Sequence, residues 1–211
     1  MTSDATSVHV VKLGGSLLDW PDTPIRLESL LGPSFPGRPL LIVGGGPTTD
    51  IVRDWHQAHS LTQATAHDLA VSAMTLNSQL LNSVLPNTVL VSSRDEANHA
   101  WSQQRWPILD CSEFLPPEEA AQPLELPHTW AATSDAIAAW VTIAWPASRL
   151  LLLKSTELPS DDAPSRLQAT RLIDQHLAGW LDRLEAVDWI NLRAERPEPK
   201  RLRCSSEPPT R

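Results

Sequence analysis

The chain has 211 residues, 41% of them hydrophobic, and a formal net charge of −8 at pH 7. This size and composition suffice for one domain with a sizeable core, and the negative charge argues against nucleic acid as a main partner, because phosphate backbones attract basic surfaces. The two cysteines, Cys111 and Cys204, form neither a disulfide framework nor a metal-ligand spacing, so a reducing, cytoplasmic location is expected.

Short apolar strands alternate with helices along the first half of the chain. Strands are predicted at 8–13, 39–43, 89–91 and 108–109, and helices at 24–31, 48–59, 66–85 and 94–103. Such alternation predicts an α/β fold in which helices cover both faces of a mainly parallel sheet.

The second half continues the alternation. We predict a proline-bearing connection at 116–127, a helix at 134–144, a strand at 150–153, a helix at 170–184 and a strand at 189–192. The apolar stretch 136–145 is too short to span a bilayer, so no membrane partner is expected. Residues 1–195 are predicted to form one domain, and the proline-rich residues 196–211 a mobile tail.

Five of the eight glycines lie directly after the first two predicted strands, at Gly14–Gly15 and Gly44–Gly46. Glycine lets the backbone turn sharply and approach a ligand, and the exposed N–H groups can surround phosphate oxygens. In parallel sheets, ligands collect beyond the carboxyl ends of the strands. The glycine triplet is therefore interpreted as a binding loop, whereas for Gly14–Gly15 a tight turn explains the sequence equally well.

Two of the three lysines, Lys12 and Lys154, also end apolar strands. Since arginine outnumbers lysine elsewhere, lysine at these ends suggests a need for compact point charges. Asp135 lies in the first turn of a predicted helix that Thr133 or Ser134 can cap, which by itself explains a carboxylate there.

Taken in order, four segments resemble the amino acid kinase family: VVKLGGSLL from Val10, LIVGGGPTTDIVRDW from Leu41, TSDAIAAWV from Thr133 and LLLLKS from Leu150. The resemblance extends from about residue 8 to 155. It implies a three-layer αβα sandwich and transfer of the γ-phosphoryl group of ATP, with Mg²⁺, to a small anionic acceptor, either a phosphate or a carboxylate. A homo-oligomer, most simply a homodimer, is also implied.

The resemblance assigns roles by position. Lys12, Asp135 and Lys154 would be catalytic, with Asp135 orienting the lysines. The nucleotide would be held by Gly14, Gly15, Ser16 and Ser155, and the acceptor by Gly44, Gly45, Gly46, Trp130 and Ser134. No general base is required when the acceptor is already an anion, and phosphoryl transfer demands mainly positioning and charge neutralisation.

Within the family, the segment HDLA at His67–Ala70, Ala73–Met74 and Trp130 resemble a short archaeal and methylotroph branch that includes the aminomethylfuran-methyl phosphate kinases of methanofuran synthesis. Many family members carry a glycine and a further lysine in the segment after the strand equivalent to 150–153. Residues 156–170 contain neither. A non-catalytic homologue that binds a nucleotide or metabolite as a regulatory subunit therefore remains an alternative.

The remaining polar residues receive structural interpretations. His56, His59 and His67 lie in or beside helices without paired metal-ligand geometry, and His128 is read as a loop residue, so no metal site is predicted. Arg53 is interpreted as part of a solvated helix face. The chain lacks both the GxxxxGK[ST] and the GxGxxG pattern, which makes another type of nucleotide-binding α/β protein a weak alternative.

Overall fold

The computed structural model describes residues 7–202, and its centre is a seven-stranded sheet. The strands are Val8–Leu13 (β1), Arg38–Val43 (β2), Thr88–Val91 (β3), Trp106–Leu109 (β4), Arg149–Lys154 (β5), Val187–Asn191 (β6) and Lys200–Arg201 (β7). Their order is β3-β4-β2-β1-β5-β6-β7. Strands β1 to β6 are parallel, and β7 pairs antiparallel with β6 at one edge.

Helices lie on both faces of this sheet. They are Thr23–Leu30 (α1), Gly46–His59 (α2), Gln63–Val84 (α3), Arg94–Ser102 (α4), Cys111–Glu119 (α5), Ser134–Ala144 (α6), Pro164–Ala169 (α7) and Gln175–Trp180 (α8). The predicted three-layer αβα sandwich around a mainly parallel sheet is confirmed. Within the described residues, none of the helices is long and apolar enough to cross a membrane.

The side-chain alternation of β1 decides where Lys12 points. Val11 and Leu13 belong to the apolar core shared with Leu27 of α1, whereas Val10 belongs to the core that contains Trp140 of α6. Because residues two apart on a strand face the same side of the sheet, Lys12 faces α6 together with Val10. The same alternation, through Leu150 and Leu152, directs Lys154 of β5 to the α6 face.

The prediction of a connection at 116–127 is wrong at its start. Helix α5 runs through Pro116 and Pro117 to Glu119. Proline inside a helix removes a backbone hydrogen bond. Phe114 and Leu115 are nevertheless buried in the core that also contains Trp140, and this packing stabilises the helix.

The single helix predicted at 170–184 is also wrong, because the structure divides this region. Helix α7 ends at Ala169, and α8 begins after Asp174, whose carboxylate accepts hydrogen bonds from the backbone of His176 and Leu177 and so caps a new helix. A 3₁₀ turn, Leu181–Arg183, follows α8.

The segment predicted as a mobile tail is in part packed against the sheet. Lys200–Arg201 pairs with β6, Leu202 is 1% exposed, and the Arg201 guanidinium donates to the Asp188 carboxylate at 2.7 Å. The buried leucine and the ion pair explain why residues 200–202 are fixed. Residues 203–211, with Cys204, lie outside the described part of the chain.

Candidate active site

Both strand-end lysines contact one buried carboxylate. Lys12 Nζ lies 2.8 Å from Asp135 Oδ1, and Lys154 Nζ lies 2.6 Å from Asp135 Oδ2. Lys12 and Asp135 are 4% and 5% exposed. The two ammonium groups therefore converge at the carboxyl edge of the sheet, held by the first turn of α6.

The environments of the two lysines differ. Lys154 also donates to the Leu172 carbonyl at 2.9 Å, and its ammonium lies 5.2 Å from the centre of the Trp189 ring. For Lys12, the ion pair with Asp135 is the one polar contact found within residues 7–202. An ammonium group has three N–H donors, so Lys12 retains donors for a ligand.

Electrostatics keep the Asp135 carboxylate ionised. Burial raises the pKa of Asp135, but the attraction of the Lys12 and Lys154 ammonium groups outweighs it, and the net pKa lies below the usual value. Burial lowers the pKa of Lys12, an effect that Asp135 opposes and that the like charge of Lys154 reinforces. Two lysines facing one carboxylate make the centre of the site suitable for an anionic ligand.

The two glycine bends, Gly14–Gly15 after β1 and Gly44–Gly46 after β2, pack against each other backbone to backbone. A Cβ atom on Gly15 would lie 2.2 Å from the backbone nitrogen of Gly46, and Gly46 has a positive φ of 49° that disfavours side chains. Gly44 is equally confined, since its Cβ would lie 2.9 Å from Ser134 Oγ. Glycine is therefore required here by close approach of the loops, independently of any ligand.

Two residues that the sequence analysis missed fix the loops. The Asn77 side chain of α3 donates to the carbonyls of Gly44 and Gly45, both at 2.8 Å. Asp174 accepts from Thr133 Oγ1 at 2.6 Å and from the Ala136 backbone at 2.9 Å, in addition to capping α8. Both contacts join residues far apart in sequence, so no local pattern points to them.

A cavity of about 440 Å³ opens beside the second glycine bend. Its wall includes residues assigned to ligand binding from the sequence: Ser16, Gly45, Gly46, Trp130 and Ser134. Arg53, His67 and Met74 also line it. Arg53 lies 5.2 Å from the centre of the Trp130 ring, a cation–π contact. Arg53 lies on an exposed helix face, as predicted, and its side chain also joins this wall. We call this space the acceptor-side cavity.

A second cavity, of about 560 Å³, lies on the other side of Asp135. Lys154, Asp135 and Thr133 line it together with residues 168 and 171–175 of the break between α7 and α8. Arg171, which has a left-handed φ of 58°, contributes a further cation. Arg53 and Trp130 border both spaces. We call this space the lysine-side cavity.

The other predicted residues are placed around the triad. Gly14 and Gly15 are buried under the bend, with the Gly14 N–H donating to the Leu153 carbonyl at 2.8 Å. Ser16 Oγ lies 3.2 Å from Ser155 Oγ, which joins the loops after β1 and β5. Ser16 lines the acceptor-side cavity. Its hydroxyl can therefore contact a ligand in that cavity as directly as it could contact a nucleotide.

The expectation that His67 has no paired metal-ligand geometry is wrong, because the loop residue His128 lies beside it. The His67 and His128 rings stack with centroids 4.6 Å apart, and Asp68 lies beside them. His128 is distant in sequence from α3, so the spacing of residues along the chain gave no sign of the cluster.

Comparison with known proteins gives a likeness of fold. No family model and no curated protein matches the sequence. Among solved structures, the uridylate kinase of Archaeoglobus fulgidus matches with a TM-score of 0.59 at 19% identity, covering 87% of this chain and 89% of that one. UMP kinase of Ureaplasma parvum gives 0.62 at 15% identity, covering 92% of each chain. UMP kinase of Bacillus anthracis gives 0.59 at 13%, covering 90% and 88%. These proteins are members of the amino acid kinase superfamily, and the chain shares their fold.

Proposed function

We propose that this protein, which has the fold of the UMP kinases, is a small-molecule kinase that transfers the γ-phosphoryl group of ATP to a small phosphate or carboxylate. The observation that carries the proposal is the buried triad of Lys12, Asp135 and Lys154 at the carboxyl edge of the sheet, of which Asp135 and Lys154 line the lysine-side cavity. The name of the matched structures supports a kinase in general.

The triad suits the chemistry of phosphoryl transfer. The transferring group carries negative charge on its equatorial oxygens, and catalysis consists mostly of positioning and charge stabilisation. Lys12 holds unused N–H donors in a water-poor setting, where a fixed donor is worth about 3 kcal/mol of barrier. Asp135 fixes both ammonium groups before substrate arrives, so little reorganisation is needed during the reaction.

ATP fits the lysine-side cavity on charge grounds. Lys154 and Arg171 line it, and both can face phosphate oxygens. Its two carboxylates, Asp135 and Asp174, are engaged by the lysines and by helix caps respectively. Mg²⁺, which retains several waters and binds readily through phosphates, would therefore arrive on the polyphosphate and neutralise its charge.

The acceptor fits the other cavity. Arg53 provides a cation for a phosphate or carboxylate, and Trp130, Met74 and Val71 provide a flat, largely apolar wall for a compact body. An aromatic ring bearing an anionic substituent meets both requirements. This is compatible with a furan-type one-carbon carrier precursor, so a role in methanofuran-like biosynthesis belongs to the proposal.

A homodimer and a cytoplasmic location complete the proposal. Leu76, Leu80 and Val84 form an apolar ridge on α3, 46–57% exposed, and Ile51 and Trp55 on α2 are further exposed apolar residues. Exposed apolar surface of this kind is typical of subunit contacts. Cys111 is a buried free thiol, which suits a reducing compartment.

A non-catalytic binding protein is the second candidate, favoured by the segment after β5. Residues 156–170 contain no lysine or glycine, and the Thr156 carbonyl is occupied by the Trp189 indole N–H at 2.8 Å. Such a chain would bind a nucleotide or metabolite without turnover.

A coupled assay for ADP separates the candidates. With MgATP and a panel of small phosphates and carboxylates, we expect acceptor-dependent ADP release, which Lys12→Met lowers by about 10²–10³-fold. Lys200→Met is the matched control, because Lys200 is half exposed and contacts Glu157 away from the triad. Calorimetric binding of MgATP without ADP release from any acceptor would select the binding protein instead.

A further inference from the structure

A cluster of nitrogen and oxygen donors lies at the back of the acceptor-side cavity, apart from the lysine triad. His67, Asp68 and His128 each offer one ligand atom, and these atoms lie within 4.8 Å of one another. His67 is 3% exposed, whereas Asp68 and His128 are exposed and can adjust. His128 Nδ1 lies 3.6 Å from Asp68 Oδ1.

Each histidine of the cluster also has a second partner that orients its ring. His128 Nε2 lies 2.8 Å from a Glu119 carboxylate oxygen, and the His67 ring donates a hydrogen bond to the Thr129 backbone carbonyl. Metal-binding histidines nearly always use their other ring nitrogen in this way, which fixes the tautomer and raises the basicity of the ligating nitrogen. The histidine–carboxylate pair of His128 and Glu119 has this arrangement.

We propose that His67, Asp68 and His128 bind one divalent transition-metal ion of the zinc class. Two imidazoles and one carboxylate are ligands that Zn²⁺ and Co²⁺ accept at about 2.0–2.2 Å. Ligand atoms around a tetrahedral ion at those bond lengths lie about 3.3 Å apart. The separation of His128 Nδ1 from Asp68 Oδ1 is close to this value.

The surroundings leave a fourth coordination position open. A cavity of about 310 Å³ is lined by the three ligands, Glu119 and Cys111, and has room for water on the ion.

The ion would hold one wall of the acceptor-side cavity. His67 borders both cavities, and His128 precedes Thr129 and Trp130, which line the acceptor-side cavity. A metal shared between α3 and this connection would therefore fix Trp130 relative to Arg53. The Mg²⁺ expected on the nucleotide is a separate ion with oxygen ligands.

Titration of the full chain with CoCl₂ tests the site after chelator treatment and desalting. We expect one Co²⁺ per chain, a visible absorption band of tetrahedral type, and displacement by Zn²⁺ but not by excess Mg²⁺. His128→Gln and Asp68→Asn should each weaken binding at least tenfold, and Glu119→Gln should weaken it about tenfold while the stoichiometry stays at one. His59→Gln, an exposed histidine on α2, is the matched control and should bind as the native chain does.

Circular dichroism checks that each variant is folded. If His128→Gln does not fold, Asp68→Asn alone tests the site. Binding that is substoichiometric, or that both His128→Gln and Asp68→Asn leave unchanged, would overturn the proposal. The readout is metal binding alone, so it is independent of kinase activity.

Discussion

The ends of β1 and β5 carry the same residue but are followed by different loops. Lys12 is followed by a glycine bend that packs against a second glycine bend, backbone to backbone. Lys154 is followed by residues 155–163, which contain no glycine and are held by side chains, such as Asn191 donating to Glu157 at 2.8 Å.

The difference separates two ways of building an anion site. At the first end, missing side chains let the backbone come close, and the lysine keeps free donors. At the second end, the lysine is itself tied to Asp135, Leu172 and the Trp189 ring. We infer that the first end acts on the transferring group and that the second end supplies charge and a fixed wall.

The largest expected effect compares the two lysines directly. Lys12→Met should lower kcat by about 10²–10³-fold, because a donor aimed at the transferring group is lost. Lys154→Met should lower kcat only about tenfold, or about 1.4 kcal/mol of barrier, since most of its donors serve the protein. Steady-state assays with saturating MgATP and acceptor measure both. Equal losses would break the comparison between the two ends.

A smaller effect concerns the glycines. Gly15→Ala should lower the free energy of unfolding by about 1–3 kcal/mol, because its Cβ meets the backbone of Gly46 and the bends must separate. Gly179→Ala in α8 is the control near the second end, where a Cβ meets nothing within 4 Å. Its greater helix propensity should raise stability by about 0.5–1 kcal/mol. Urea denaturation distinguishes the two signs, and a neutral Gly15→Ala would contradict the interlocked bends.

The pH dependence of the unfolding free energy tests the role of Asp135, the carboxylate that both lysines contact. The folded pKa of Asp135 lies below its unfolded value, near 3.9, so its contribution is complete above that pH and is lost as pH falls through the folded pKa. Asp135→Asn should cost about 3 kcal/mol at pH 7, because two buried ammonium groups lose their counterion. The difference in unfolding free energy between the native chain and Asp135→Asn should be constant from pH 7 to 5 and should decrease below pH 4.

The control for this series is Asp50→Asn, whose carboxylate is exposed and pairs with Arg53 on the helix surface. It should change the unfolding free energy by less than about 0.5 kcal/mol at every pH. A cost of Asp135→Asn that stayed constant down to pH 2 would show that the lost stability comes from packing rather than charge.

The residues of this site can be predicted from the sequence only where the pattern that marks them lies within a short segment of the chain. Lys12, Lys154 and the glycine bends were found because a strand end and its loop are adjacent in sequence. Asn77 and Asp174 could not be found, because each serves loops that only the fold brings near.

The same distinction between local and long-range signals applies to the prediction of the fold. The strand–helix alternation predicted the layers, but apolar periodicity runs from Ile173 through Leu177 to Leu181 across the end of a helix break, so it could not locate that break. The capping carboxylate of Asp174 is the one local sign of it. In α5, proline indicated a loop, and buried Phe114 and Leu115 overrode that signal.

The most direct test of the central claim is a double-mutant cycle on kcat for ADP formation, with Lys12→Met, Lys154→Met and the double variant. If Lys12 contacts the transferring group and Lys154 supports the same centre through Asp135, the double variant should lose much less than the product of the two single losses. Losses that multiply would contradict a shared centre, as would a double variant that is as active as the native chain.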